Sequence, residues 1–197
     1  MQLHRHDVVA KATQLLDDYG IADLTMRRLA RELSVSPGAL YWHFADKQEL
    51  LGAVADRILA PEPAIADDAS WSQRVVGLGT ALRDALLSST DGAELVSASF
   101  AAGKSERMTE ILCRLTEAAT EGGIDPIHAD LAARTVLYYV LGFTADEQSR
   151  LQWDAAGALV DGQSVMTANP NARFAFGLKL LIDGIAVHSD VLVGEQD

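Results

Sequence analysis

One cysteine, Cys113, is all the chain has, so no intramolecular disulfide can staple it. No long apolar run is free of charge or glycine and no signal peptide stands at the start, so no membrane partner is expected; the chain reads as soluble and cytoplasmic. Internal repeats and low-complexity tracts are also lacking. No nucleophile elbow, phosphate-binding glycine loop, zinc pattern or strand-placed pair of carboxylates is present, so catalysis, the rival class, finds no motif, and neither cofactor nor metal is expected. His4 and His6 lack a cysteine or carboxylate in ligand register and read as a polar, frayed terminus. Cys113, within Ile111-Leu112-Cys113-Arg114-Leu115, is expected at a buried helix position.

An excess of positive charge is missing as well, since the net charge is −12. The deficit is uneven. Residues 1–60 hold seven Lys and Arg against eight Asp and Glu, whereas the rest of the chain holds nine against twenty. Local basic groups meet phosphates while an acidic body suppresses non-specific sticking, so this balance admits a nucleic-acid-binding first part and predicts salt-sensitive binding.

What is present is the run from Thr25 to Lys47, which reads as two short helices around one tight turn. Thr25 caps a helix with Leu29, Ala30 and Leu33 on one face and Arg27, Arg28 and Arg31 largely on others. Ser34-Val35-Ser36 is the turn, with Val35 its apolar plug, Ser36 the next cap and Pro37 a first helical residue whose missing N–H costs nothing. Leu40 and Phe44 point inward, leaving Pro37, Gly38, Ala39, Tyr41, Trp42 and His43 outside on a helix about two turns long, flanked by Lys47. This is helix-turn-helix geometry, in which the second helix enters the major groove of double-stranded DNA. Arg27 suits the O6 and N7 acceptors of guanine, Pro37 and Ala39 only thymine methyls, and Thr25, Tyr41, His43 and Lys47 phosphates, with Arg28, Gly38 and Trp42 completing the expected DNA-binding set. An ordinary three-helix core with a solvated arginine face and a packed Trp42 is the other reading.

The remaining pattern predicts an all-α chain. A first helix covers about His6–Tyr19 with Gly20 as its stop. A fourth starts at Asp46 and ends at Pro61-Glu62-Pro63, and Ser70-x-x-Gln73 is a capping box opening a helix to about Ser88. Further helices are expected over 92–100, 105–120, 126–144 and 172–189, and the Gly-, Ala- and Ser-rich stretch 148–171 as a loop with one helical turn near Trp153–Leu159. Leu131, Ala132, Val136, Leu137, Val140 and Leu141, and likewise Phe174, Leu178, Leu181, Ile182 and Ile185, surround their helices too fully for one buried face. Gly177 and Gly184, on one stripe, would permit close backbone approach. A homodimer interface or one thick monomeric core accounts for that. His128 and His188 read as surface or interface polar groups.

Leu24-Thr25, Arg27-Arg28-Leu29-Ala30, Leu40-Tyr41-Trp42-His43 and Lys47-x-x-Leu50-Leu51 resemble the DNA-binding domain of the TetR family of one-component transcriptional regulators. Ser70-Trp71, Ala85-Leu86-Leu87-Ser88, Asp91-Gly92-Ala93, Leu141-Gly142-Phe143, Asp146-Glu147-Gln148 and Phe176-Gly177-Leu178 resemble, in order, the effector domain of the tetracycline repressor. The resemblance implies an N-terminal three-helix helix-turn-helix DNA-binding domain at 1–62. A larger helical ligand-binding and dimerisation domain follows at 63–197. It also implies a repressor that binds a palindromic operator as a homodimer through the helices near 126–144 and 172–189. A small-molecule effector then releases it by moving the fourth helix and changing the separation of the reading heads.

The departures from the tetracycline repressor bear on the effector. Leu78 and Leu82 stand at the positions of a pocket asparagine and phenylalanine, Leu112 at a glutamine, Val96 at the metal-binding histidine, Phe100 at an arginine and Tyr138 at a second histidine. Only the acidic site persists, as Asp146 or Glu147. Magnesium needs oxygen ligands, so the expected effector is more apolar than a magnesium–tetracycline chelate, lined by Leu78, Leu82, Val96, Phe100, Met108, Leu112 and Tyr138. A plain core, giving a dimeric DNA-binding protein without ligand control, stays open. The stretch 148–171 matches the one that closes the ligand entrance in the tetracycline repressor, which makes Trp153 or Met166 a lid candidate.

Overall fold

The computed structural model describes residues 3–157 and 164–194, with side chains to residue 187. Its elements, all helices among the described residues, are α1 (Arg5–Tyr19), α2 (Met26–Glu32), α3 (Pro37–Tyr41), α4 (Lys47–Ile58), α5 (Trp71–Leu87), α6 (Gly92–Ala101), α7 (Glu106–Glu121), α8 (Pro126–Ala155) and α9 (Pro170–Gly194). They form two compact units. One comprises Met1–Pro61 and Ala85–Thr109, the other Glu62–Asp84 and Glu110–Asp197. The first unit therefore begins with the segment expected as the reading head and also takes in α6.

In the first unit α1 buries Val8, Ala12, Leu15 and Leu16, α2 Leu29 and Ala30, and Leu40, Phe44, Leu50 and Val54 complete one apolar core. Side-chain caps set the boundaries. Thr25 accepts the Arg28 N–H at 3.2 Å, Ser36 that of Ala39 at 3.3 Å and Asp46 that of Glu49 at 2.7 Å, each cap worth about 1 kcal/mol. Gly20 ends α1 at φ 78°, where a Cβ would stand 2.7 Å from a carboxylate oxygen of Asp91. That same oxygen accepts the Ile21 N–H at 2.8 Å, so the turn between α5 and α6 is fastened to the end of α1.

Within this unit α4 also lies against the end of α6. A Cβ on Gly52 would meet the Lys104 carbonyl oxygen at 2.0 Å, which only glycine permits. One turn on, Asp56 accepts the Ser105 hydroxyl at 2.7 Å and the Arg107 N–H at 3.1 Å, capping α7 together with Ser105, whose Oγ accepts the Met108 N–H at 3.2 Å.

In the second unit α8 packs on α9, with Val136, Leu137, Val140 and Leu141 buried on one and Phe174, Leu178, Ile182 and Ile185 on the other. Helix α8 continues past Thr144, the expected end, to Ala155. Residues 145–155 contain neither glycine nor proline, and Asp146 and Arg150 pair across one turn at 2.7 Å, so nothing stops the helix before Gly157. Trp153 lies on α8, and Leu159 falls outside the described residues.

Cys113 is exposed, not buried. Helix α7 turns Leu112, Leu115, Ala118 and Ala119 inward, and a residue directly after Leu112 lies about 100° round the helix. The glycine stripe also divides. A Cβ on Gly177 would meet the Tyr139 hydroxyl at 2.2 Å, whereas Gly184 faces open space, so of the two only Gly177 serves close packing within the chain.

Candidate nucleic-acid interface

The turn between α2 and α3 is built by a hydrogen-bond pattern that the sequence supports only in part. Ser34 takes a left-handed φ of 56°, its N–H donates to the Arg31 carbonyl at 3.0 Å, and the Val35 N–H donates to that of Ala30 at 2.9 Å. This is a Schellman ending, which glycine fills more readily than serine. The reversal presents the N-terminus of α3 outward. Leu40 and Phe44 anchor it from beneath, and Val35 is half-buried as the plug.

Above that core, Thr25, Arg27, Pro37, Gly38, Tyr41 and Trp42 are exposed, and Ala39, His43 and Lys47 are half-buried. Trp42 is 91% exposed, which removes the reading of a packed indole. A large aromatic left in water beside Tyr41 is costly unless something covers it. Neither the Arg27 guanidinium nor the Lys47 ammonium has an ion-pair partner among the described residues.

Arg28 differs. Its guanidinium lies 3.8 Å over the Tyr19 ring and pairs with Asp23, so its stacking and charge are used to join α2 to the end of α1. A neighbouring pair of arginines thus splits into a free one and an occupied one. Sequence alone could not separate them, because Tyr19 and Asp23 lie across a turn. Arg5, on α1, was also not legible: its Nη1 reaches the His43 carbonyl at 2.5 Å and Glu49 at 2.9 Å.

The expected effector-lining residues fall into both units. Leu78, Leu82 and Leu112 are buried in the second, where Tyr138 is 57% exposed; Val96 and Met108 are buried and Phe100 half-buried in the first. The two candidates for the one acidic position expected to be shared with the tetracycline repressor, Asp146 or Glu147, are both engaged. Glu147 receives two hydrogen bonds from the buried Arg83 at 2.9 and 2.7 Å, and Asp146 is held by Arg150, which lowers its pKa from the ordinary aspartate range. Arg83 also donates to Asn171 at 2.9 Å and lies over the Phe174 ring at 5.1 Å. No cluster of three metal-ligating side chains occurs among the described residues; His4 and His6 stack ring on ring at 5.6 Å. His128 is exposed on the first turn of α8, Met166 is 39% exposed, and the side chain of His188 lies outside the described residues.

No helix among the described residues is long and apolar enough to cross a membrane. Two family models match the chain, that of bacterial regulatory proteins of the tetR family over residues 8–54 and that of the tetracyclin repressor-like C-terminal domain over 62–160. The class C tetracycline repressor protein of Escherichia coli is 30% identical over 93% of this chain and 91% of its own length. Among solved structures, BioQ of Mycobacterium smegmatis is 62% identical over 95% of this chain and 99% of its own, with a TM-score of 0.88. BioQ solved with its natural double-stranded DNA operator is 59% identical over 94% and 99%, with a TM-score of 0.82. The first match spans the capped α2–turn–α3 reading head and the second extends through the whole of α8, and on both grounds this chain belongs to the tetR family of bacterial regulatory proteins and is a DNA-binding transcriptional regulator.

Proposed function

We propose that the chain is a cytoplasmic repressor that acts by binding rather than catalysis, holding a palindromic operator as a homodimer and releasing it when a small, largely apolar effector binds. The observation that carries this is the outer face of α3, where Trp42 is 91% exposed beside Tyr41 and within one motif of the unpaired Arg27 and Lys47. The likeness to BioQ, solved with its double-stranded operator, supports the same face as the one that meets DNA. Arg27 is the base-reading side chain, since a guanidinium can bind guanine O6 and N7 together; Pro37, Gly38 and Ala39 offer only apolar contacts, and Thr25, Tyr41, Trp42, His43 and Lys47 hold the backbone. Arg28 supports α2 from behind. Most remaining selectivity then comes from methyl contacts and duplex shape.

Two copies associate through α8 and α9. Ile127, Leu131 and Tyr138 on α8 and Phe176, Leu180 and Val187 on α9 are 56–80% exposed in the single chain, a concentration of large apolar side chains that a soluble monomer avoids. The two-fold axis that relates the copies matches the two halves of a palindrome.

The residues expected to line the effector are mainly apolar in each unit, with Leu78, Leu82 and Leu112 buried in the second beside the more exposed Tyr138, and Val96, Phe100 and Met108 in the first. Glu147 and Asp146 being bound to arginines, little oxygen remains for magnesium, and tetracycline is not the ligand. Val96, Phe100 and Met108 share a unit with α4, which is joined to the α6–α7 turn at Gly52 and Asp56. A ligand that prefers one arrangement of that turn biases α4 and so the reading head.

Selection of bound sequences from a random duplex pool tests the assignment. A palindrome should emerge, and Arg27→Ala should cost about 1 to 3 kcal/mol and relax one base pair per half-site, while Lys47→Ala weakens all sequences alike. Equal binding of every operator variant by Arg27→Ala and the parent would overturn the readout.

A further inference from the structure

Residues 41–47 join α3 to α4, and most of their contact groups lie at the surface. Only Phe44 is buried there. What holds the segment is a two-residue device. The Arg5 guanidinium lies 4.1 Å over the Phe44 ring while its Nη1 donates to the His43 carbonyl at 2.5 Å and to Glu49 Oε1 at 2.9 Å. The second oxygen of Glu49 accepts the Ala45 N–H at 2.8 Å. The backbone is thus gripped at residues 43 and 45, on either side of the buried ring. Both carboxylate oxygens of Glu49 are used, and the Ala45 N–H first and Arg5 second hold its pKa below the ordinary glutamate range.

A carboxylate beside a phosphate-binding segment ordinarily weakens binding by repulsion, so its removal should strengthen it. Here the geometry points to the opposite sign. We infer that Arg5 and Glu49 are positioning residues that set the 41–47 segment for phosphate contact, so that neutralising Glu49 weakens operator binding. This rests on the DNA interface proposed above. Arginine is needed because its planar fork stacks on Phe44 while donating at its edge, which an ammonium cannot do. Glutamine at 49 puts an NH2 donor where one of the two carboxylate oxygens accepts, so one of the two N–H groups is left facing another donor.

The test uses the full-length chain and the palindromic duplex recovered by selection, with affinity measured by fluorescence anisotropy across a salt series. Glu49→Gln is expected to bind about tenfold more weakly, the loss of charge-assisted hydrogen bonds that are partly exposed to water. Its log–log salt slope should also flatten by roughly 0.9 for each cation withdrawn from a phosphate, although the substitution removes no positive charge. A merely less stable protein, assayed well below its melting temperature, would keep its slope. Arg5→Lys should not rescue the Arg5→Ala loss, and the Arg5→Ala, Glu49→Gln double variant should bind no worse than the poorer single one. Should Arg5→Ala lose its helical circular dichroism, Glu49→Gln, close in shape, decides alone. Equal or tighter binding by Glu49→Gln, or a loss with an unchanged slope, overturns the inference. If Arg27→Ala and Lys47→Ala also bind like the parent, the DNA interface itself is wrong; if they weaken while Glu49→Gln does not, only this inference fails.

Discussion

Removing the buried guanidinium of Arg83 should be among the most costly single changes in the second unit. The Arg83 side chain is 6% exposed and that of Glu147 11%, and Arg83 makes three hydrogen bonds of 2.7–2.9 Å that join α5 to α8 and to the first turn of α9. Arg83→Met fills similar volume but strands the Glu147 carboxylate and the Asn171 carbonyl oxygen. Breaking a buried pair from one side costs about 3–5 kcal/mol, because the remaining charge keeps its desolvation penalty and loses its compensation. At this size that corresponds to a fall in melting temperature of roughly 10 °C. Replacing both partners, Arg83→Met with Glu147→Leu, removes the stranded charge and should recover most of the loss. Urea unfolding followed by far-UV circular dichroism, at one fixed protein concentration because the dimer links stability to concentration, measures Arg83→Met, Glu147→Leu, the double variant and the parent. A loss below about 1 kcal/mol for Arg83→Met, or a double variant as unstable as the sum of its parts, would refute the argument that the pair is buried and mutually dependent.

Gly177→Ala should destabilise by about 1–3 kcal/mol, since its Cβ would press on the Tyr139 hydroxyl, whose ring stacks on Phe174 at 5.6 Å, while Gly184→Ala should leave the fold's thermal stability unharmed. A melting series separates the two. Glu49, with a lowered folded-state pKa, contributes stability that is fully present above the ordinary glutamate pKa and lost as pH falls through the lowered value. The parent should therefore lose more stability than Glu49→Gln on acidification below the usual carboxylate range, as acid titrations of urea midpoints would show. Leu131→Arg, placing a charge on the 62%-exposed apolar face of α8, should shift sedimentation from dimer toward monomer without loss of helix.

What could be read from the residues was whatever closes within one turn of chain. The caps Thr25, Ser36 and Asp46 and the Ser70–Gln73 box, with its reciprocal bonds at 2.9 and 3.3 Å, all depend on partners three residues away, and Pro37 at a helix start needs none. Spacing therefore specifies them. The inward Leu40 and Phe44 follow from the same short period, and so does the outward face that marks the chain as a DNA reader. The end of α8 is hidden in the sequence because its helix formers, Ala145 to Ala155, run straight into a stretch of small residues, and the exposure of Cys113 follows from its angle to the buried Leu112 and not from its residue type.

Tertiary structure alone decided which long side chains are spent internally. Arg27 and Arg28 are neighbours with one chemistry, yet the end of α1 takes Arg28 and leaves Arg27 to the solvent. Arg5 with His43 and Glu49, Ile21 with Asp91, Ser105 with Asp56 and Arg83 with Glu147 are separated by 38 to 70 residues. A guanidinium or carboxylate on a flexible stem finds its partner through the packing of whole helices, and no periodicity in the chain encodes where that packing brings it.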